Sequence, residues 1–309
     1  MAINAKDVSA LRAKTGVGMM DCKKALEETN GDFDKAIKLL REKGLAVAAK
    51  KADRIAAEGI VDIIFDEATN TAAMIEVNSE TDFVSKNADF QAFVKECLNV
   101  ILRDKPADVA ELLTKQFNSE LTVDGMLKEK ILVIRENISI RRFIIVEGIL
   151  STYVHNKGTI GVIVKVDADE KALADAGLND LKKNIALQIA SMSPIYVNKE
   201  DVPASVIEEE REITTNQIKA DEANAKKPAA VIEKMIDGKV GKYYETNCLL
   251  EQGYVKEDKM SVGEYIKNYN KETGGNVKVS AFYRFEKGEG IQKKEDNFAE
   301  EIAQLTGQK

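Results

Sequence analysis

Thr15-Gly16-Val17-Gly18-Met19-Met20-Asp21-Cys22-Lys23-Lys24-Ala25-Leu26 is the stretch on which the reading of the fold turns. Its two glycines separate one short apolar pattern, Val8 and Leu11, from a second, Met19, Cys22 and Leu26, each at the spacing of a helical face. Asn30-Gly31 interrupts again where a turn needs positive φ, and Phe33, Ile37 and Leu40 then repeat the spacing. Asp32 is suited to N-cap this third helix and Gly44 to close it. Residues 1–45 are therefore expected to form a three-helix head with its own core, and the Ala- and Lys-rich residues 46–56 a helical tether. Residues 1–52 hold eleven Lys or Arg against seven Asp or Glu, a basic head on a chain whose net charge is -7.

Beyond Gly59 the pattern changes. β-Branched runs at 60–65 and 72–77 flank the polar stretch 66–70, as paired strands around a turn would. A strongly amphipathic helix follows, with Phe90, Phe93, Val94, Cys97, Leu98 and Ile101 on one face and Asn87 as its N-cap. Further helices are predicted over 108–117, 123–137, 170–191 and 262–269, and strands over 142–153, 159–166 and 277–285. This is an α+β body in two parts, residues 57–144 and residues 145–203 with 246–290. Both halves mix strands with helices, as a duplicated core would. Between the pieces of the second half, residues 204–245 are charged and helical, and Ile207, Ile213 and Ile218 give only a thin apolar stripe. Pro228 fits the first turn of a second helix, so a projecting antiparallel hairpin is predicted, about 27 Å long if each helix has about 18 residues. A last helical module is expected in 291–309, around Phe298 and Leu305.

The totals exclude several classes. At 309 residues the chain is long enough for more than one core. A pI near 5.2 argues against bulk capture of nucleic acid, which needs cations to replace phosphate counterions. Three cysteines far apart, Cys22, Cys97 and Cys248, supply neither a disulfide framework nor a zinc motif. With no apolar run long enough to span a bilayer and no leader-like start, a cytoplasmic, membrane-free protein is expected. No phosphate-binding Gly-x-x-x-x-Gly-Lys-Ser/Thr occurs. The two Gly-x-Gly strings fail the dinucleotide pattern, because Asp21 and Lys293 stand where its third glycine belongs. His155, the single histidine, makes no metal site alone and reads as a polar residue at a bend between strands. Glu208-Glu209-Glu210 reads as a solvated helix face. No catalytic residue, metal ligand or cofactor is assigned.

Four blocks in order resemble the elongation factor Ts family: residues 15–26, Asn78-Ser79-Glu80-Thr81-Asp82-Phe83-Val84, Arg135-Glu136-Asn137-Ile138-Ser139-Ile140-Arg141-Arg142, and Phe285-Glu286-Lys287-Gly288-Glu289-Gly290-Ile291. Ala25-Leu26, Asn30-Gly31-Asp32 and Ala36-Ile37 also resemble the ubiquitin-associated fold. The stretches near 104–126 and 245–260 depart in length from familiar members. The family resemblance implies a non-enzymatic guanine-nucleotide exchange factor whose partner is elongation factor Tu. In such a protein Phe83 enters the partner's nucleotide domain, and Thr81, Asp82 and Val84 help disturb its magnesium and phosphate site. It further implies partner contacts at Met19, Met20 and Lys23, at His155, and near Met235 and Ile236 on the hairpin, which is also a candidate for self-association. On the residues alone, a Phe on a turn reads either as tucked into its own core or as exposed for a partner, and Met235 and Ile236 read first as packing between the hairpin helices. Two rival functions follow from the sequence: a binding adaptor using only the head, and an enzyme with Cys22 or Cys248 as nucleophile. Cys22 on an apolar helical face argues against the second.

Overall fold

Asn4 opens the first helix of the computed structural model, its side chain accepting the Asp7 N–H at 2.9 Å, and Gly16 closes it. The structure describes residues 3–221, 224 and 227–292. Helices α1 (Ala5–Thr15), α2 (Met19–Glu28) and α3 (Phe33–Lys51) form the head. Asp32 caps α3 through the Lys35 N–H at 3.0 Å. Val8, Leu11, Cys22, Ala25, Leu26, Ala36 and Leu40 are buried together, as the spacing demands. Met19 is not among them. It sits at the first position of α2 and is exposed, so the apolar face of that helix begins at Cys22.

Two expectations for the head fail for the same reason. Gly44 does not end α3, which continues to Lys51. A Cβ at Gly44 would lie 3.5 Å from the Lys128 carbonyl and 3.6 Å from Leu132, so the glycine marks a close crossing with α7 (Val123–Ile134) rather than a cap. Nor is the head core separate, because Leu132 and Val133 of α7 complete it. Arg41 reinforces that packing by donating to Glu120 at 2.8 Å and to Glu129 at 3.1 Å.

Strands β1 (Glu58–Asp66), β2 (Thr71–Ser79) and β3 (Ile138–Glu147) form one sheet in the order β1-β2-β3, and all nine residues of the middle strand are buried. Between β2 and β3 come α4 (Asp82–Ser85), α5 (Ala88–Asp104), α6 (Val109–Thr114) and α7. Strands β4 (Ile149–His155), β5 (Ile160–Ala168) and β8 (Val277–Glu286) form a second sheet in the order β4-β5-β8, with β4 and β5 antiparallel and Ile149 opposite Val166. Each sheet thus takes two successive strands and a third that follows after helices. The intervening elements of the second are α8 (Glu170–Ala174), α9 (Leu178–Met192), a short 3-10 turn at Lys199–Asp201, α10 (Ala204–Ala220), α11 (Ala229–Asn247), the strand pair β6 (Gly253–Tyr254) and β7 (Glu257–Ser261), and α12 (Val262–Thr273). Helix α9 packs on β4 and β5, and Val162, Val164, Leu181, Ile185 and Ile189 are buried there. The architecture is α+β.

Boundaries move where a residue's own chemistry stops an element. Arg135 adopts φ 65° and ends α7 at Ile134, short of the expected Asn137, and β3 begins at Ile138. The strand expected over 142–153 is two strands, because Gly148 has φ 135° and a Cβ there would lie 2.9 Å from Lys165 Cε. The helix expected over 170–191 breaks at Asp175, whose side chain accepts the Gly177 N–H and the Tyr269 hydroxyl, both at 2.8 Å. The helix expected over 108–117 shortens to α6, and Phe117 beyond it stacks on Phe93.

The hairpin forms from α10 and α11, which pack through Ile218, Ile236 and Val240 with Ile207, Ile232, Met235 and Tyr244 beside them. Arg211 bonds Asp237 at 2.7 Å and pairs with Glu233. Ile213, expected in the stripe, is exposed instead. The expected helix around Phe298 and Leu305 lies outside the described residues. The chain divides into two compact units. One holds residues 3–64, 73–144 and 286–292 of the described chain, and the other 65–72 and 145–285. No helix among the described residues is long and apolar enough to cross a membrane.

Candidate functional site

Ser79 ends β2, and its hydroxyl donates to the Thr81 carbonyl at 3.0 Å, turning the chain out of the sheet. Thr81 is then held twice by one carboxylate. Its N–H donates to Glu136 Oε2 at 2.9 Å and its hydroxyl to Glu136 Oε1 at 2.6 Å. Next door, Glu80 Oε1 accepts the Asn137 N–H at 2.6 Å, and its other oxygen lies 3.5 Å from Arg54. The Asn137 amide in turn donates to the carbonyls of Ala52 and Arg54. Charge-assisted bonds of this kind are about twice as strong as neutral ones, so the loop leaves the sheet on a fixed base.

On that base stands the single turn α4. Val84 is buried, and the Lys86 and Asn87 N–H groups close the turn onto Phe83 and Val84 carbonyls. Asn87 caps α5 through the Asp89 and Phe90 N–H groups, so the loop passes straight into the longest buried helical face of this unit. Phe83 is left 77% exposed. The tucked alternative for this residue is thereby excluded, and Val84 is the residue that anchors the turn instead. Lys86 Nζ stands 5.5 Å from the Phe83 ring and bonds Asp82 at 2.6 Å. The Lys86 hydrogen bond holds the Asp82 carboxyl below its usual range. The loop therefore presents an exposed phenyl ring flanked by the Lys86–Asp82 ion pair on a hydrogen-bonded turn.

Beneath the loop lies a feature the sequence reading missed. Glu76 of β2 is wholly buried, and its carboxylate accepts from Arg142 Nε at 2.6 Å, the Gly288 N–H at 2.8 Å, and Arg141 Nη1 and Asn78 Nδ2 at 3.1 Å. Burial pushes its pKa up, but the Gly288, Asn78 and Arg142 bonds outweigh it and the net direction is down. Gly288 has φ 71° and a Cβ there would lie 2.2 Å from the Ala57 carbonyl, so only glycine can bring its N–H to the carboxylate. Three of the four sequence blocks, 78–84, 135–142 and 285–291, therefore meet around one carboxylate and its strand. The first block joins them through Asp21, which pairs with Arg135, and α3 adds Lys51, which donates to the Arg135 carbonyl at 2.6 Å.

The remaining candidates are placed as follows. Met20 is 62% exposed, and Met19 and Lys23 are exposed beside it on α2, with Lys23 3.7 Å from Glu27. His155, Met235 and Ile236 belong to the other unit. His155 ends β4, exposed, with Nδ1 2.9 Å from the Tyr153 hydroxyl. Ile236 is buried between the hairpin helices and Met235 half-buried against them, so both side chains serve that packing.

Cys22, Cys97 and Cys248 are buried, and burial raises every thiol pKa, that of Cys248 to about 11. A nucleophile needs the opposite. Native protein is thus expected to take up no thiol reagent at neutral pH on the timescale of exposed cysteine, and all three sites after denaturation. Rapid labelling of Cys22 or Cys248 in the native state would restore the enzyme reading. Among the described residues no group of three His, Cys, Asp or Glu is placed to hold a metal ion.

Residues 80–289 match the family model described as Elongation factor TS. The chain is 46% identical over 307 residues to "Elongation factor Ts" of a Nitratiruptor species, covering 98% of this chain and 99% of the relative. It is 43% identical over 308 residues to the protein of the same description from Clostridium botulinum (strain Eklund 17B / Type B), covering 99% of each. Against that from Clostridioides difficile (strain 630), identity is 44% over 303 residues, covering 97% and 98%.

Proposed function

The chain belongs to the elongation factor Ts family, and from that premise we propose that it is a guanine-nucleotide exchange factor for elongation factor Tu. It binds the GDP-bound partner and promotes GDP release without any covalent step. The observation that carries the reading is Phe83, a large apolar side chain exposed on a turn fixed from both sides. An aromatic in that position loses little conformational entropy on binding, which is what makes such residues binding hot spots.

In this mechanism Phe83 enters the partner's nucleotide domain, with Asp82 and Thr81 beside it, and disturbs the contacts that hold magnesium and phosphate. The factor and GDP then bind with negative coupling, each lowering the other's affinity by the same factor. A coupling of about 5 kcal/mol would weaken GDP by roughly 10³ to 10⁴, since each 1.4 kcal/mol is tenfold. GTP enters the emptied site and expels the factor. Met19, Met20 and Lys23 on the head and His155 in the other unit are proposed as further partner contacts, because their side chains are exposed. Labelled-GDP release from purified elongation factor Tu is the direct test. Acceleration that saturates with the factor is expected, and none at any concentration would end the proposal.

The Glu136 clamp gives a finer expectation. Glu136→Ala removes the acceptor of both Thr81 bonds, a loss of roughly 1.5 to 3 kcal/mol in the fixed turn, and is expected to slow GDP release about tenfold. Affinity for nucleotide-free partner should change less, because Phe83 itself is intact. A release rate equal to wild type would show that the turn needs no such anchor.

A further inference from the structure

Arg135, Glu136 and Asn137 are the three residues between α7 and β3, and each grips a different part of the same unit. Arg135 pairs with Asp21 of α2, and its carbonyl accepts from Lys51 at the end of α3. Glu136 clamps Thr81. Asn137 reaches both ways. Its N–H donates to Glu80 Oε1 at 2.6 Å, while its side-chain amide donates to the carbonyls of Arg54 at 2.7 Å and Ala52 at 3.3 Å, just past the last turn of α3. Arg54 returns to the same Glu80 carboxylate at 3.5 Å. The network thus runs from Asp21, next to Met20, to Thr81, two residues before Phe83. Met20 and Phe83 are the two most exposed large apolar side chains among the described residues.

We propose that this junction sets the register between the head and the Phe83 loop, with Asn137 as its positioning residue, so that Met20 and Phe83 meet the partner as one preformed surface. The inference rests on the exchange reading above. Stability alone does not account for Asn137. Its side chain is buried, yet both hydrogens of its amide go to carbonyls of exposed residues, which water could serve at little net cost. What those bonds do achieve is to fasten the exit of α3 to the residue that precedes Thr81. The head is held at its other end by α7, since Leu132 and Val133 complete its core. Binding energy gained at a remote contact helps the site of action only if the two are joined without slack. With the joint fixed, a contact at Met20 also holds the ring of Phe83 in place, and the ordering of head against loop is complete before the partner arrives.

Two measurements on the full chain test this, and the first needs no partner. Spin labels placed through Lys24→Cys on α2 and Ala88→Cys at the start of α5, both exposed, should give one narrow distance distribution, and a broadened one when Asn137→Ala is added. The native thiols are buried and stay unlabelled. The second is GDP release from elongation factor Tu against factor concentration. Asn137→Ala is expected to lower the maximal release rate about tenfold while the half-saturating concentration changes less than about threefold, the mark of a misplaced group rather than of lost binding. Partial unfolding would do the reverse, raising the half-saturating concentration and sparing the maximal rate, and would count against the proposal. Arg54→Ala alters only an exposed side chain and should move both readouts the same way by less. Met20→Ala should lower the maximal rate in the wild-type background and leave it unchanged in the Asn137→Ala one. An equally narrow distribution with Asn137→Ala overturns the proposal whatever the release assay shows, and so does a Met20→Ala effect of the same size in both backgrounds. Failure of the wild-type chain to accelerate release would end the exchange reading instead, and the distance measurement would still decide the junction.

Discussion

Phe83→Ala is expected to promote GDP release from elongation factor Tu at least about tenfold more slowly than wild type, as loss of an aromatic hot spot would, with its melting temperature within about 1 °C. The two halves of that result have separate causes. Phe83 is 77% exposed, so truncating it creates no cavity and removes no packing from the fold. Exposed substitutions of this sort usually change stability by less than about 0.5 kcal/mol, whereas a core Phe would cost about 3 to 5 kcal/mol. The turn beneath it survives as well, because its anchors are Val84, the Glu136 carboxylate and the Asn87 cap, none of which touches the ring's own contribution. On the proposed mechanism, what disappears is the volume that would keep the partner's nucleotide site open. Asp82→Ala should show a smaller defect, since a carboxylate held ionised by Lys86 could act on the partner only through its field and hydrogen bonds and would not fill the volume of a ring. Melting temperature, affinity for nucleotide-free partner and GDP release are to be measured on one preparation of each protein. A Phe83→Ala chain that releases GDP at the wild-type rate would refute the wedge.

The sequence displays local chemistry well and long-range chemistry hardly at all. Cys22 and Leu26 at helical spacing, the Asp32 and Asn87 caps, and the alternation of helix and strand are all decided within a few residues, and the structure has them where the pattern puts them. Phe83 was different. Its position on a turn was legible, but whether the ring points in or out depends on Val84 taking the buried place, which no spacing rule distinguishes. Gly44 and Gly148 show the same division in reverse. Each reads as local punctuation or as nothing, yet Gly44 admits the neighbouring helix and Gly148 cuts a strand in two. Glu76 was invisible for the plainest reason. It is one acid among fifty-two, and its partners stand 65 residues away at Arg141 and 212 residues away at Gly288. The resemblance marked those partner blocks as characteristic without saying what joins them. A buried carboxylate that all of them face supplies the physical reason for their company.

Glu76→Ala is expected to destabilise the chain by about 3 to 5 kcal/mol, the usual consequence of removing one partner from a buried ion pair. Oε1 accepts from Asn78, Arg141 and the Gly288 N–H, and Oε2 from Arg142, so the truncation leaves guanidinium and backbone donors facing a cavity. Glu76→Gln keeps the volume but turns an NH₂ group toward one of those donors, and should fall between Ala and wild type. A pH dependence separates this from simple loss of packing. The folded pKa of Glu76 is lowered from its ordinary value of 4.5, so the carboxylate's stabilisation is fully present above that value and lost as pH falls through the folded one. Wild type should therefore lose stability steeply below pH 4.5, and Glu76→Ala less so over the same interval. Urea midpoints from neutral pH downward would show it. Exchange activity should fall in step, because Glu76 lies two residues before Asn78 on the strand that delivers Thr81 and Phe83, and because Gly288 closes onto it from the far end of the chain. Parallel stability curves for wild type and Glu76→Ala, with equal midpoints at neutral pH, would mean that the carboxylate holds nothing together.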